Sequence, residues 1–197
     1  EALRAHAGNS WFIHLDIKDF FGSINRSRPA RCMKSLFGYE RAREIANAST
    51  VIHPSRRTFV LPFGFVQSTL IASICLYKSA LGSCIRRLQK DGLTVSVYVD
   101  DLVLSTNDIQ VAHDALGAAK HAAERSGFRL NPDKEEGPAE MITAFNINLS
   151  AKYMAIEPER LLALAEAFQA AESSHQQLGI LGYVASVCST QAAEIQA

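Results

Sequence analysis

The run Thr94-Val-Ser-Val-Tyr-Val-Asp-Asp-Leu-Val-Leu-Ser-Thr106 decides the fold. Thr94 to Val99 and Leu102 to Thr106 are rich in β-formers, and only Asp100-Asp101 separates them. Two such strands on so short a connection predict a tight antiparallel hairpin with both acids at its tip. Acids are common in turns, and an ordinary turn is the bland reading. Adjacent carboxylates between apolar strands repel each other and resist burial, however, and a bound divalent cation offsets that repulsion. A third acid changes the weighing. Trp11-Phe-Ile-His-Leu-Asp-Ile17 also reads as a strand, ending near Asp16. In an antiparallel sheet that strand end can lie beside the hairpin tip, so that Asp16, Asp100 and Asp101 share one edge. Three carboxylates suit hard cations such as Mg²⁺, which take oxygen ligands and accept phosphates into their shell.

Outward from these strands the chain alternates helices and turns. Ser27-Arg28-Pro29 opens a helix with Cys32, Met33, Leu36 and Phe37 on one face, stopped by Gly38. A short helix over Glu40 to Ala48 follows, then a β-rich loop from Ser49 to Pro62. A long helix is predicted from about Ser68 to Lys90, buried along Leu70, Ile71, Ile74, Cys75, Leu81, Ile85 and Leu88. Asp91-Gly92 is a turn signal. Asn107-Asp108 caps a helix running to Ser126, and Gly127 ends it. Phe128 to Leu130 reads as a short strand, Ile142 to Leu149 as another, and Lys152 to Ile156 as the partner of the latter. Helices from Pro158 to about Ala171 and from Gln177 to Val187 close the chain. This order predicts an α+β fold, an antiparallel sheet backed by helices on one face.

Composition agrees with a folded, water-facing chain. Of 197 residues 48% are hydrophobic and 20% charged, which excludes a disordered tail or a fibre. No apolar run reaches the ~20 residues of a membrane span, and Glu1 to Ala7 lack a signal-peptide pattern, so the expectation is a cytoplasmic protein with no membrane partner. Twenty Lys and Arg balance twenty Asp and Glu. Any nucleic acid is therefore held by local patches, not by a bulk field. The four cysteines, Cys32, Cys75, Cys84 and Cys188, form no C-x-x-C pair and read as free thiols. The six histidines are scattered and none is assigned a role.

These residues meet a known family. Leu15-Asp-Ile-Lys-Asp-Phe-Phe-Gly-Ser-Ile24 resembles motif A of retron-type and group II intron-type reverse transcriptases. Leu61-Pro-Phe-Gly64 with Gln67-Ser68 resembles motif B, and Tyr98-Val-Asp-Asp101 motif C. Gly127-Phe-Arg-Leu-Asn-Pro-Asp-Lys134 is similar to motif D, Ile142 to Leu149 to motif E, and Gln177 to Val184 to the start of the thumb. The tetrapeptide alone is a weak signal; five motifs in order are a strong one. The resemblance implies a right-hand polymerase palm with a ferredoxin-like core. It divides the chain into a first palm strand with motif A (1–26), a partial fingers insertion (27–66), the palm with motifs B to E (67–156) and a helical thumb start (157–197). It also implies that the chain is a piece of a larger polypeptide that supplies the remaining fingers and thumb.

Carried across position by position, the metal ligands are Asp16, the Ile17 carbonyl, Asp100 and Asp101, holding two Mg²⁺ for which Mn²⁺ can substitute. Phe21 matches the position under the incoming sugar, where an aromatic ring excludes a 2′-hydroxyl; Phe20 is the alternative, and one of the two faces the core. Gly64 lets the template–nucleotide pair approach. Gln67 and Ser68 contact the template strand, although Ser68 is also a plausible helix cap. Lys134 is the general acid for the leaving pyrophosphate. Arg56 and Arg57 touch backbone phosphates or are merely exposed. Phe63 stands where many relatives carry Gln, and the run Phe65 to Thr69 lacks the usual proline, a variation similar to that of defence-associated bacterial enzymes. The implied activity is RNA-directed DNA synthesis from deoxynucleoside triphosphates on an RNA template, with a DNA or RNA primer and a structured non-coding RNA as partners. Protein-primed or untemplated synthesis, a nucleotide-cyclase-like palm and a non-catalytic scaffold are the alternatives.

Overall fold

The computed structural model describes residues 2–196. Its centre is a four-stranded antiparallel sheet in the order β4-β5-β1-β6, from β1 (Trp11–Asp16), β4 (Thr94–Tyr98), β5 (Asp101–Thr106) and β6 (Glu136–Ala139). The first strand falls where the sequence places it, and the hairpin does so with its turn shifted one residue, to Val99-Asp100, which leaves Asp101 as the first residue of β5 instead of at the tip. Strand β1 is buried on both faces from Phe12 to Asp16, because the sheet is covered twice. Ile13, Leu15, Leu102 and Leu104 face a helical layer. Phe12 and Val103 face a second, three-stranded sheet of β7 (Met141–Ala144), β8 (Ile147–Ser150) and β9 (Met154–Ile156).

The helices are α1 (Phe20–Ser23), α2 (Ser27–Phe37), α3 (Tyr39–Ala48), α4 (Val66–Tyr77), α5 (Ala80–Lys90) and α6 (Ile109–Arg125), with a small hairpin of β2 (Val51–Ile52) and β3 (Phe59–Val60) after α3. The chain closes with α7 (Pro158–Gln169), α8 (Ser174–Val187) and α9 (Ser189–Gln196), which build their own cluster from Leu164, Val184 and Ala192 against Ile156 of β9.

Several expectations are corrected. The single long helix is two, bent by 69° between Tyr77 and Ala80. Ser79 leaves the helical conformation and its hydroxyl accepts the Gly82 N–H, a helix start inside an apolar run. A Cβ at Gly82 would stand 2.2 Å from the Leu76 carbonyl oxygen, so only glycine fits the junction. Leu70, placed in the buried stripe, is 66% exposed, and Leu36 and Phe37 are exposed as well. Ile142 to Leu149 is a hairpin, turned by Phe145 and Asn146 with φ of 57° and 58°. Phe128 to Leu130 contributes only a single bridge, Leu130 to Ile17. Strand β6 and helix α9 carried no periodicity that revealed them. Among the described residues no single helix is long and apolar enough to cross a membrane.

Candidate active site

Strand pairing brings the three acids to one edge. Asp16 lies directly opposite Asp101 in the β1–β5 register, on the sheet face turned away from the helical layer. The Ile17 N–H donates to the Asp100 carbonyl at 2.9 Å, clipping the end of β1 to the hairpin turn. In an extended residue N–H and C=O lie on the same side of the chain, so the Ile17 carbonyl also faces the turn. That turn is Val99-Asp100, and Val99 has φ of 58°. A β-branched side chain in the left-handed region is strained by about 1–3 kcal/mol, a cost that the hairpin must overcome to present Asp100.

The fourth member arrives from a distant stretch of sequence. Asn131, whose N–H donates to the Asp16 carbonyl at 2.9 Å, starts a 3-10 turn over Pro132–Lys134. Lys134 Nζ donates from there to Asp16 Oδ1 at 2.7 Å. Asp16 is only 4% exposed, so this ion pair answers a buried charge. The hydrogen bond to Asp16, reinforced by the charges of Asp16, Asp101 and Asp100, holds the Lys134 ammonium above its ordinary pKa. Asp100 is shifted upward too, by burial first and then by the charges of Asp101 and Asp16, with Lys134 opposing. The four groups therefore sense one another.

His14, given no role from the sequence, is the residue that reading missed. It lies one step before Asp16 on the same face, and its Nε2 donates to Asp101 Oδ1 at 2.9 Å. Its Nδ1 is buried without a partner. The available signal was period-two alternation in β1, which puts His14 and Asp16 on one face. Among the described residues no three His, Cys, Asp or Glu side chains close on one point as a ready metal cluster. Lys134 on Asp16 and His14 on Asp101 already answer two of the carboxylates. The donor set fits a divalent cation: mutually repelling carboxylates with a lysine ammonium in a cation's place.

Beside Asp100 opens a cleft of about 710 Å³. Phe21 lines it with Phe63, Tyr98 and Val99, whereas Phe20 is 2% exposed and packs on Phe128 in the core. The two diverge because they begin the one-turn helix α1, not because they alternate on a strand. Tyr98 meets Phe145 edge-on at 5.6 Å, so the β7–β8 turn packs against the acidic hairpin.

The remaining predicted residues divide. Gly64 has φ of 88° and open space around it. Gln67 is exposed on the first turn of α4. Ser68 is 1% exposed with an unpartnered hydroxyl, and it does not cap the helix, which starts at Val66. Arg56 is committed to Asp19 at 2.8 Å and to the Gly22 carbonyl, tying the β2–β3 hairpin to the turn after β1. Arg57 is exposed.

Comparison with known proteins adds the following. The family described as "Reverse transcriptase (RNA-dependent DNA polymerase)" matches residues 1–183. The retron Mx65 reverse transcriptase of Myxococcus xanthus is 27% identical over 176 residues, covering 81% of this chain and 41% of that protein. The chain thus spans about two fifths of the curated relative that it matches. A foamy viral protease-reverse transcriptase, solved with double-stranded DNA, superposes with a TM-score of 0.56 at 15% identity over 92% of this chain and 29% of that one. Telomerase from Candida albicans, solved with a fragment of telomeric RNA, gives 0.58 at 12% over 94% and 40%. At such identities these two likenesses speak to fold alone.

Proposed function

The chain belongs to the reverse transcriptase (RNA-dependent DNA polymerase) family, and from that premise we propose that the edge bearing Asp16, Asp100 and Asp101 is its nucleotidyl-transfer centre. The observation that carries the reading is the pairing of Asp16 opposite Asp101 with Lys134 on Asp16. The reaction is attack of a primer 3′-hydroxyl on the α-phosphate of a deoxynucleoside triphosphate opposite an RNA template, with pyrophosphate leaving. The family uses divalent metals; we assign Asp16, the Ile17 carbonyl, Asp100 and Asp101 as the residues that would hold two Mg²⁺, replaceable by Mn²⁺, which would supply charge neutralisation at the attacking and leaving oxygens.

The chain's own residues do the rest. Asp16 and Asp101 sit on paired strands of the four-stranded sheet and Asp100 in the turn clipped to them by Ile17, which sets their spacing before substrate arrives. Lys134, whose ammonium is favoured by its acidic neighbours, is the proton donor to the leaving pyrophosphate, and a cation held by Asp16 would compete with it for that carboxylate. Phe21 forms the cleft wall under the sugar and excludes a 2′-hydroxyl. His14 keeps the Asp101 carboxylate in one orientation and acts as a positioning residue. Gly64 and the exposed Gln67 face the template–nucleotide pair. Arg57 is the basic residue of its pair left for a phosphate, since Arg56 is engaged. The partners that follow are an RNA template, a DNA or RNA primer and deoxynucleotides, with a structured non-coding RNA and the rest of a longer polypeptide beside them.

The test is primer extension on an RNA template by the intact protein, comparing the parent with Asp16→Asn. Extension is expected to vanish in a variant whose far-ultraviolet circular dichroism is unchanged. Extension at the parental rate would overturn the assignment.

A further inference from the structure

A second basic feature lies away from the carboxylate edge. Where α2, α4, the start of α5 and the end of α6 meet, a cavity of about 370 Å³ is lined by Arg28, Arg31, Lys78 and Arg125, together with Cys32 and Cys75. No carboxylate lines it, and it shares no lining residue with the cleft beside Asp100. Four cations without a counter-charge stand out in a chain of zero net charge. Four other basic groups are answered by acids, in Arg41–Glu44, Arg56–Asp19, Lys120–Glu135 and Lys134–Asp16, whereas no carboxylate lines this cavity.

Arg28 shows the imbalance most clearly. Its guanidinium stacks on the Phe128 ring at 4.4 Å and its Nη2 donates to the Ser126 carbonyl. Its Nη1 is buried with no hydrogen-bond partner. Burial, and to a smaller degree Arg31, push its pKa below the ordinary value. A buried guanidinium N–H without an acceptor costs free energy that an anion recovers. Arg31 and Arg125 are exposed and make no ion pair among the described residues. Lys78 donates only to the neutral Ser35 hydroxyl, at 2.8 Å. The position of Arg125 at the end of α6 suits that helix dipole, but the dipole explains neither Arg28 nor Arg31.

We propose that this pocket is a phosphate-binding site, distinct from the catalytic centre, which takes either a backbone phosphodiester of bound nucleic acid or a free phosphate ion. Arginine forks match tetrahedral phosphate oxygens, and Arg28, fixed by the Phe128 ring and the Ser126 carbonyl, lines the cavity in a set orientation. The thiol at the rim reports the local field. A hydrogen bond from Cys75 lowers the Cys32 pKa to about 7, with Arg28, Arg31 and Lys78 adding to the effect against burial. Cys32 lines the cavity beside these cations, so its alkylation can serve as a probe of what occupies it. The inference stands apart from the polymerase reading, and its failure leaves that reading untouched.

The test follows alkylation of Cys32 by iodoacetamide at pH 7.5, read by peptide mass spectrometry on the full chain. It is run without ligand, with inorganic phosphate at millimolar concentration against chloride of equal ionic strength, and with a short RNA duplex at micromolar concentration. The proposal expects a ligand to slow labelling at least threefold in the parent, and not in the surface double variant Arg31→Gln/Arg125→Gln. Protection by the RNA duplex, alone or with phosphate, identifies a backbone contact; the variant's RNA affinity should then fall several-fold, with a salt dependence shallower by about one to two phosphate contacts. Protection by phosphate alone identifies a free-phosphate site. Protection by neither probe, or equal protection in the variant, overturns the proposal.

Discussion

Asp100→Asn should stabilise the metal-free protein while destroying its activity. Asp100 is half-buried at the tip of the hairpin, and its carboxyl is pushed above the ordinary range by burial and by the charges of Asp101 and Asp16. Like charges about 6–8 Å apart near a surface repel by roughly 2–3 kcal/mol at an effective dielectric of about 20, and water and salt reduce that to about 1 kcal/mol. Lys134 cancels part of the remainder. Asparagine keeps the shape and suits a turn. Urea unfolding in EDTA at pH 7.5 should therefore find the variant more stable by about 1 kcal/mol, a rise of roughly 2–4 °C in Tm for a domain of this size.

The sign with pH follows from the shift. Because the folded-state pKa is raised, the parent loses stability as pH rises through the ordinary carboxylate pKa, and the loss is complete above the raised value. Below both values Asp100 is protonated, resembles asparagine, and the two proteins converge. Saturating Mg²⁺ should reverse the order, since a ligand at a hundred times its Kd stabilises the parent by about 2.7 kcal/mol and the variant by less. A variant less stable in EDTA by more than about 1 kcal/mol, with a gap indifferent to pH, would show that Asp100 holds the turn and is not a strained ligand.

Three further outcomes are expected. Phe21→Ala should raise incorporation of ribonucleotides relative to deoxyribonucleotides in a primer-extension assay, and unchanged selectivity in a folded variant would place the gate elsewhere. Gly137→Ala should cost more than about 2 kcal/mol in denaturant unfolding, because its Cβ would stand 2.1 Å from the Phe12 carbonyl oxygen at a residue with φ of 87°, prising β6 from β1; a loss under 0.5 kcal/mol, the ordinary range for surface changes, contradicts the strand pairing. His6, fully buried between the Ser105 and Ser96 hydroxyls, has its pKa lowered by burial to about 4. Its contribution is whole above about pH 6.5 and is lost as pH falls toward 4, so stability should decline over that window in the parent and less in His6→Gln; equal declines would assign the effect to other groups.

Much of the site was legible because it rests on local pattern. The alternation of Trp11 to Ile17 and the short link between two β-rich runs bring Asp16 near the hairpin tip, and the structure pairs Asp16 with Asp101 while Asp100 occupies the turn, one residue from the link that the pattern implies. What sequence could not show depends on tertiary partners. Strand β6, Glu136-Gly-Pro-Ala139, has little β propensity and exists because β1 offers it an open edge. The β7–β8 turn uses Phe145-Asn146 in left-handed conformation without the Asn-Gly signal of such turns. The apolar run from Val66 to Leu88 is continuous in composition, so its break was hidden in Ser79 and Gly82. Ser68 looked like a cap and is a buried third residue of α4. His14 was readable in position but not in role, because its partner lies 87 residues away.

The most direct test of the central claim is to locate the metal. Crystals of the chain soaked in Mn²⁺ with a non-hydrolysable deoxynucleoside triphosphate should give anomalous density among Asp16, the Ile17 carbonyl, Asp100 and Asp101, with Lys134 displaced from Asp16 toward the phosphates. Density confined to other sites, with the Lys134–Asp16 pair intact and nucleotide bound, would contradict the assignment of this edge as the catalytic centre.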